Sequence, residues 1–259
     1  MKIIVCVKQV PDTTTRVRVA PEGRGIVETD VSWIVGPYDE YAIEEALRIK
    51  EAKGGEVVLV SLGPERVQSA LRTGLAMGAD SAVHLKDALF DATDTLGTAR
   101  ALAAAIKALA PYDLVLTGQQ GVGGDHSQIP GLLAEMLDLP QVTVAVKIEV
   151  QDGKAVVERE VEGAHETWET SLPALISAQK GLNEPRYASL KGIMAAKKKP
   201  MDVKDAAAVG LDAAALAPRV KIAALSLPPD RPPVKMIEGD PATQAKELLR
   251  LLHDEAKVI

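Results

Sequence analysis

Apolar runs and amphipathic stretches alternate through the first half of the chain. The apolar runs have the length of strands buried on both faces and lie at 2–7, 56–62, 81–85 and 114–117. The stretches between them carry apolar residues at helical spacing, and helices are predicted to begin near Gly36-Pro37, to run from about 65 to 77, and to include 99–110. This order predicts an α/β protein with a mostly parallel, doubly wound sheet.

The pattern changes after Pro140, where strands follow one another without helices. The segments predicted as strands are 141–150, 154–161, 166–171 and 174–178. Asp152-Gly153, between the first two, is a strong hairpin-turn signal. We therefore expect an antiparallel extension of the same sheet, and strand signals stop beyond Lys180.

Two outlying segments complete the prediction. A small hairpin is expected near the amino terminus, from 16–20 and 25–29. From Asp205 the chain is rich in alanine and proline, and a helix is predicted at 242–253. Because this last part cannot bury its apolar helix locally, we divide the chain into an α/β domain at 1–204 and an extended C-terminal arm at 205–259. We expect the arm to pack on another subunit, and folding back on its own domain is the alternative.

A glycine-rich loop follows the strand at 114–117. Four glycines lie within seven positions, from Gly118 to Gly124, and Asp125, His126 and Ser127 then offer helix-start chemistry. Glycines let backbone N–H groups approach an anion, and the first turn of a helix has unpaired donors and a positive dipole end. An ordinary strand-to-helix turn is the alternative, but four glycines with polar neighbours favour a phosphate-binding loop.

The loop matches no common phosphate motif. No Gly-Lys-Ser/Thr closes it, and His126 occupies the position of the third glycine in the dinucleotide fingerprint. Gly118, Gly121 and Gly131 have the spacing of the ATP loop of universal-stress-type proteins, but Leu132 replaces its Ser or Thr. The loop therefore indicates an adenine nucleotide without saying which one, and 1–204 is predicted to be an adenine-nucleotide-binding domain.

Composition narrows the class of protein. The 259 residues include 47% hydrophobic residues, which is ordinary for a soluble globular protein. The net charge of −6 argues against non-specific binding to nucleic acid. No apolar run approaches the roughly 20 residues of a membrane span, and no signal-peptide layout is visible. The single cysteine, Cys6, excludes an internal disulfide. We expect a soluble cytoplasmic protein with no nucleic-acid partner and no membrane insertion.

Side chains for self-sufficient catalysis are not predicted. The four histidines lie far apart in the sequence and have no metal-ligand spacing. No Gly-x-Ser-x-Gly motif is present, and Cys6 has no evident activating partner. Helix capping and anion contact explain Asp125 and His126 more simply than catalysis does. We therefore predict no catalytic residue, no metal, and a protein that is not itself an enzyme.

A basic segment lies between the last predicted strand and the arm. From Asn183 to Lys204, six basic residues face two acidic ones in an otherwise acidic chain. A solvated basic helix is the usual explanation and the one that composition favours. The alternative is a docking surface for an acidic partner, whose apolar contacts would be Tyr187, Leu190, Ile193 and Met194.

Several stretches together resemble the β subunit of electron transfer flavoprotein. They are IVCVKQVPD at 4–12, GPYDEYAIEEALRIKE at 36–51, LRTGLAMGAD at 71–80, DLVLTGQQGVGGDHSQIPG at 113–131 and NEPRYASLKGIMAAKKK at 183–199. They follow the family's order over nearly the whole chain, and the last is close to the family's own signature. The resemblance implies a heterodimer with an α subunit, embraced by the arm.

The resemblance also implies cofactors. AMP would be a structural element of this chain, while FAD would be held mainly by the α subunit at the interface. The implied cofactor-binding residues are Cys6, Gly36, Pro37, Tyr38, Asp39, Leu62, Gly118, Gln119, Gln120, Gly121, Val122, Gly123, Gly124, Asp125, His126, Ser127, Gln128 and Ile129. Within this set Tyr38 takes the place of an aromatic that approaches the flavin, whereas Gly36 replaces a common Asn and Gly123-Gly124 replaces an acidic pair.

The implied role is that of an electron carrier in fatty acid oxidation. Electrons would arrive from acyl-CoA and related flavin dehydrogenases and leave to a membrane quinone oxidoreductase. Segment 183–199 would be the partner recognition loop with its basic helix, and Leu190 with its neighbours Tyr187, Ile193 and Met194 would dock. The alternatives are a bifurcating subunit with a second FAD in place of AMP, which 183–187 resembles less, and a stand-alone ATP-binding stress-type protein.

Overall fold

A nine-stranded sheet forms the centre of the protein in the computed structural model, which describes residues 1–259. Its strands are β1 Lys2–Cys6, β4 Glu56–Leu62, β5 Ser81–Leu85, β6 Leu114–Gly118, β7 Gln141–Gln151, β8 Lys154–Val161, β9 Ala164–Ser171, β10 Ala174–Ala178 and β11 Met201–Lys204. Two further strands, β2 Gln9–Pro11 and β3 Trp33–Val35, form a small antiparallel sheet. The strand order of the large sheet is β11-β5-β4-β1-β6-β10-β7-β8-β9.

Helices cover both faces of this sheet. They are α1 Pro37–Lys53, α2 Val67–Met77, α3 Ala88–Asp91, α4 Thr95–Ala108, α5 Ile129–Leu137, α6 Leu190–Ala196, α7 Ala213–Leu216 and α8 Pro241–Arg250. Side chains of β1 alternate between the faces: Ile3 and Val5 pack with α1 and α2, whereas Ile4 and Cys6 pack with α4 and α5. The predicted fold class, a doubly wound sheet with an antiparallel extension and a C-terminal arm, is confirmed.

The direction of chain crossover changes at β1. This strand pairs in parallel with β4 on one side and with β6 on the other. The β4 side is reached through α1, and the β6 side is reached after α3 and α4. Such a switch leaves a crevice at the carboxyl ends of the strands, where ligands of α/β sheets bind. The loops after Cys6 and Gly118 therefore meet at this edge.

Two strands differ from the antiparallel pattern that the sequence suggested. The last predicted strand, β10, lies inside the sheet and pairs in parallel with both β6 and β7, so that only β7, β8 and β9 form the antiparallel extension. The chain also forms β11 beyond Lys180, which pairs in parallel with β5 at the sheet edge. An edge strand needs only one hydrogen-bonded neighbour, and β11 has no buried side chain and therefore no apolar signal.

The predicted amino-terminal hairpin is present in reduced form. The chain turns back on itself there, with backbone hydrogen bonds from Ala20 N to Gly25 O (2.8 Å) and from Val27 N to Arg18 O (2.8 Å). Between 16–20 and 25–29 the structure has a single bridge, from Val19 to Ile26. A regular antiparallel ladder forms instead between the segments that flank this region in the sequence, where Gln9–Pro11 pairs with Trp33–Val35. A short two-stranded ribbon at the margin of the fold tolerates proline at its end, which a central strand does not.

The arm has two parts. Residues 205–217 lie against α3 and α4 and include the buried Leu216. From Pro218 to Asp240 the chain is extended and largely exposed, and α8 then ends in a π-helical turn, Leu251–Glu255. The apolar side of α8 is exposed at Leu248 and Leu249. None of the helices combines the length and apolar character that crossing a membrane requires.

Candidate nucleotide site and docking loop

The carboxylate of Asp39 joins the two strand ends at the crevice. Asp39 lies in the first turn of α1 and is buried. Its Oδ2 accepts a hydrogen bond from the backbone N–H of Lys8 (2.8 Å), just after β1, and its Oδ1 accepts one from Gly118 (3.0 Å), at the end of β6. One side chain therefore sets the spacing between the two loops that flank the switch point.

Burial makes this carboxylate unusual. It raises the pKa of Asp39 to about 7, while the hydrogen bonds from Lys8 and Gly118 and the charge of Lys8 act in the opposite direction. Both carboxylate oxygens are used by the protein backbone. Asp39 was predicted as a cofactor contact, and the structure places it at the site as a support for the loops.

Glycines allow this close approach. A Cβ at Gly118 would overlap Asp39 Oδ1 and lie 2.8 Å from Tyr38 Cβ, and a Cβ at Gly36 would lie 2.5 Å from Asp39 Oδ2. A Cβ at Gly121 would lie 2.7 Å from Lys8 Cδ. Packing around the carboxylate therefore requires glycine at 36 and 118, whereas at Gly121 the flexible Lys8 side chain can move aside.

The loop from 119 to 128 is held from within by Gln120. Its Nε2 donates to Asp125 Oδ1 (2.9 Å), and its Oε1 accepts from Ser127 Oγ (2.6 Å). The prediction that Asp125, His126 or Ser127 caps the next helix was wrong, because α5 begins at Ile129 with Gln128 as N-cap and no side-chain cap. Asp125 and Ser127 have positive φ, and their side chains close the loop instead of the helix.

Unpaired polar groups point to a ligand in this loop. The backbone N–H groups of Gln120, Val122, Gly123 and His126 donate no hydrogen bond within the chain. Next to them, Thr117 Oγ1 and Gln119 Oε1 are buried without a hydrogen-bond partner. Native proteins rarely leave buried polar atoms unpaired. A group with both anionic and donor chemistry, such as a nucleotide, fits donors and acceptors arranged in this way.

Sequence reasoning missed Lys8 as a site residue. Its backbone N–H contacts Asp39, and its aliphatic chain runs beside Gly121. This places a positive charge beside the glycine-rich loop, where a phosphate would be attracted. Its position directly after the first buried strand was the available signal, because ligands contact residues that follow strand ends.

Of the remaining predicted site residues, some are packed beside the crevice and the others lie in the exposed loop at its mouth. Cys6 is buried, and burial followed by the negative charge of Asp39 raises the pKa of its thiol to about 12, so it acts as packing. Leu62 ends β4 beside β1 and packs against the α4 side of the core. Pro37 is the first residue of α1, as predicted. Positions 123–128 are exposed at the mouth of the crevice.

The predicted docking segment is anchored to α1 at its start. Arg186 bonds the carboxylates of Glu44 (2.8 Å from Nε to Oε2) and Glu51 (2.5 Å from Nη1 to Oε1). Asn183 Nδ2 donates to Glu45 Oε2 (2.9 Å) and to Tyr41 O (3.0 Å). Burial acts to raise the pKa of Glu44, but the hydrogen bonds and charge of Arg186 outweigh it and lower that pKa.

The end of the segment is anchored to α2. Lys199 Nζ donates to the carbonyl oxygens of Leu75 (2.9 Å) and Ala79 (2.6 Å), and Arg72 donates to Ala196 O (2.6 Å). A Cβ at Gly192 would overlap the carbonyl oxygen of Ala76, so α6 packs closely on α2. Within the lysine run, Lys199 is therefore a structural anchor, whereas Lys197 and Lys198 are exposed.

Between the two anchors the chain exposes four apolar side chains. The exposed fractions are 98% for Tyr187, 82% for Leu190, 72% for Met194 and 46% for Ile193. Ser189 caps α6 through a bond from Gly192 N (3.0 Å), so Leu190 occupies the first position of the helix. Large apolar side chains held out by a rigid base are typical of a contact surface.

No group of three or more histidine, cysteine, aspartate or glutamate side chains has the geometry of a metal site. The polar clusters around Asp39 and Arg186 are instead occupied by backbone N–H groups and guanidinium nitrogens. The crevice itself offers backbone N–H groups and the positive charge of Lys8, which are groups that can receive an anion.

Comparison with known proteins identifies relatives along the whole chain. Residues 24–209 match the model of the electron transfer flavoprotein domain. Electron transfer flavoprotein subunit beta of Bacillus subtilis is 42% identical over 261 residues, with full coverage of both chains. The mouse protein of the same name is 38% identical, covering 89% of this chain and 90% of the relative. Caffeyl-CoA reductase-Etf complex subunit CarD of Acetobacterium woodii is 42% identical over 82% of this chain and 80% of its own.

Replacing Gly118 with alanine tests the close packing at the crevice. The new methyl group would displace the Asp39 carboxylate and Tyr38, and overpacking of this kind costs about 1–3 kcal/mol. We expect a lower free energy of unfolding in urea and less nucleotide retained after purification. Gly25→Ala is the control, because Gly25 lies outside the predicted cofactor-binding residues, its φ is not left-handed and the nearest atom is 3.7 Å away. Equal behaviour of the two variants would contradict this packing role.

Asp39→Asn tests the carboxylate support. The amide nitrogen must face one of the two backbone donors, which costs about 1–3 kcal/mol of stability. Because the folded-state pKa is raised to about 7 from an ordinary 3.8, the contribution of Asp39 falls as pH rises through that window. Urea unfolding at several pH values should show an advantage of the wild type that shrinks from pH ~4 to ~7.

Asp12→Asn is the control for that titration. A hydrogen bond from the Thr14 hydroxyl lowers the pKa of Asp12, so its contribution is present above its ordinary pKa and is lost as pH falls. The two variants should therefore differ in the sign of their pH dependence. A wild-type advantage over Asp39→Asn that grows with pH would show that the backbone donors outweigh burial and that the pKa of Asp39 is not raised.

Proposed function

The chain belongs to the electron transfer flavoprotein β-subunit family, and from this premise we propose that it pairs with an α subunit as an electron carrier without substrate turnover of its own. The observation that supports this most directly is the combination of two surfaces on one rigid domain. A crevice suited to a nucleotide lies at the carboxyl ends of β1 and β6, and an apolar loop stands on α1 and α2. A carrier needs both, since it must hold cofactors and exchange partners.

The nucleotide of this chain is AMP in our proposal. Free N–H groups between Gln120 and His126 would receive its phosphate, assisted by the charge of Lys8. The unpaired Thr117 and Gln119 oxygens lie beside the same loop and can accept hydrogen bonds from ribose or base. With Cys6 inert and no metal cluster present, the nucleotide serves as a structural element.

FAD is held mainly by the α subunit in this proposal and supplies the redox chemistry of the complex. This chain contributes the edge of the crevice. Tyr38 projects from the first turn of α1, and its Cβ is fixed against Gly118. The role of Tyr38 is to limit the flavin pocket from the β side and to exclude water from it.

The docking loop would receive acyl-CoA and related flavin dehydrogenases, and electrons would leave to a membrane quinone oxidoreductase. Leu190 is the anchor, and the lysines around it form a positive rim for acidic partners. A single apolar anchor in a charged rim gives modest affinity and rapid exchange, as a shuttle requires. The exposed arm, with α8 at its end, packs on the α subunit in the same proposal.

A second candidate is a subunit of a larger reductase assembly with a second FAD in place of AMP. The relative from Acetobacterium woodii supports this second candidate, because its name places it in a caffeyl-CoA reductase-Etf complex. A stand-alone ATP-binding protein is disfavoured by family membership and by the exposed arm. The cofactor content of the complex separates these three readings.

Nucleotide content is the test of the proposed function. The chain is co-purified with its cognate α subunit, the complex is denatured, and the released nucleotides are quantified by mass spectrometry. We expect FAD and AMP in equal amounts. Two FAD per heterodimer would establish the second candidate instead, and ATP on a chain that does not bind the α subunit would exclude the carrier role.

Leu190→Ala tests docking. Loss of a central apolar anchor typically costs 2 kcal/mol or more, so reduction of the complex by a partner dehydrogenase should slow by roughly 30-fold. Flavin content and unfolding should not change, because the side chain is exposed. Val203→Ala is the control, since Val203 is also exposed but lies on the edge strand β11. Wild-type transfer rates in the leucine variant would rule out Leu190 as the anchor.

A further inference from the structure

The arm leaves the domain through a short segment, 205–220, which we call the arm root. Its first part contains a 3₁₀ turn, Ala207–Val209, and α7. Ala206 and Leu216 are buried in the same apolar cluster as Phe90 of α3 and Leu102 of α4. The arm root is therefore packed on the domain, whereas the chain beyond it is extended and exposed.

Side chains of the α3–α4 region bind the backbone of the arm root. Thr93 Oγ1 donates to Leu216 O (2.8 Å), and Arg100 Nη1 donates to Ala215 O (2.7 Å). These two bonds fix the last turn of α7. They are directed at carbonyl groups, so they hold the course of the chain and do not depend on the side chains of the arm root.

Two aspartates each combine a helix cap with a hold on the arm root. Asp87 caps α3 with Oδ1, which accepts from Leu89 N (3.0 Å), and its Oδ2 accepts from Ala206 N (3.1 Å). Asp94 caps α4 with Oδ1, which accepts from Gly97 N (3.0 Å). Capping needs one carboxylate oxygen, so the second oxygen is available for the arm.

The second oxygen of Asp94 binds the arm at the point of departure. Asp94 Oδ2 accepts from Arg219 N (2.7 Å) and from Val220 N (3.1 Å). Beyond Val220 the hydrogen bonds between the arm and the domain reduce to one, from Leu225 N to Gly23 O (2.7 Å). Backbone hydrogen bonds from Gly97 and Arg219 lower the pKa of Asp94, which agrees with an ionised carboxylate acting as acceptor.

We propose that Asp94 is a positioning residue for subunit assembly, whose Oδ2 sets the direction in which the arm leaves the domain toward the α subunit. This inference rests on the proposed function, in which the arm packs on that subunit. An arm held at its root has fewer orientations to lose on binding, and preorganisation of this kind raises affinity without adding a contact to the partner.

Asp94→Ser separates the two roles of the carboxylate. Serine retains the N-cap of α4 but has no second oxygen for Arg219 and Val220. Asp212→Ser is the matched control, because Asp212 caps α7 within the same arm root through a single bond to Ala215 N. Both changes remove one negative charge from the same region, and only the first releases the arm.

Two measurements on the full chain decide the matter. Hydrogen–deuterium exchange of Arg219 and Val220 should accelerate by about tenfold or more in Asp94→Ser, with α4 still protected. The Kd for the cognate α subunit should rise by a similar factor, since two charge-assisted bonds no longer preorganise the arm. The Asp212→Ser chain should match the wild type in the Kd.

Unchanged exchange or unchanged Kd in Asp94→Ser would overturn the inference. If that variant does not fold, Asp94→Asn decides. Its amide keeps one oxygen for the cap of α4 but replaces Oδ2 with a donor that cannot accept from Arg219 and Val220, and a wild-type Kd there would overturn the inference equally. A wild-type chain that does not bind the α subunit contradicts the proposed function, whereas normal wild-type binding with no effect of Asp94→Ser contradicts only the role of Asp94.

Discussion

The buried carboxylate of Asp39 is the interaction on which the candidate site depends. It lies at the one place where the crossover direction of the sheet changes, and it bonds the backbone after β1 and at the end of β6. Burying a charge is costly, and two backbone donors and Lys8 offset only part of that cost, since burial still raises the pKa of Asp39 to about 7. Glycine at 36 and 118 follows from the same constraint, since any side chain would strike the carboxylate.

Helix α1 connects the two candidate surfaces. Its first turn carries Asp39 and Tyr38 at the crevice, and its later turns carry Glu44 and Glu51, which hold Arg186 of the docking loop. The docking loop and the crevice are therefore both attached to one rigid element, α1. In the proposed function this matters, because a partner docked on the loop would be held in a defined position relative to the cofactor edge.

Charged side chains in this protein act mainly on the backbone. Asp39 and Asp94 accept from N–H groups of distant segments, and Lys199 donates to two carbonyl groups of α2. Bonds to the backbone fix the course of loops without specifying their side chains. The exposed side chains of the docking loop and of the arm are therefore not needed to hold these segments in place, and they are available for contacts with other chains.

The sequence by itself determined the elements whose side chains carry a periodic signal. Buried strands at Glu56–Leu62 and Ser81–Leu85, the hairpin turn at Asp152-Gly153 and the helix start at Pro37 were all predicted correctly from local patterns. The crevice at the strand ends also followed from the order of strands and helices. Only the tertiary structure decided the parallel insertion of β10, the edge strand β11, and the true partners of Asp39, Asp125 and Ser127. Those features depend on backbone pairing and hydrogen bonds between residues far apart in the chain, which leave no periodicity in the sequence.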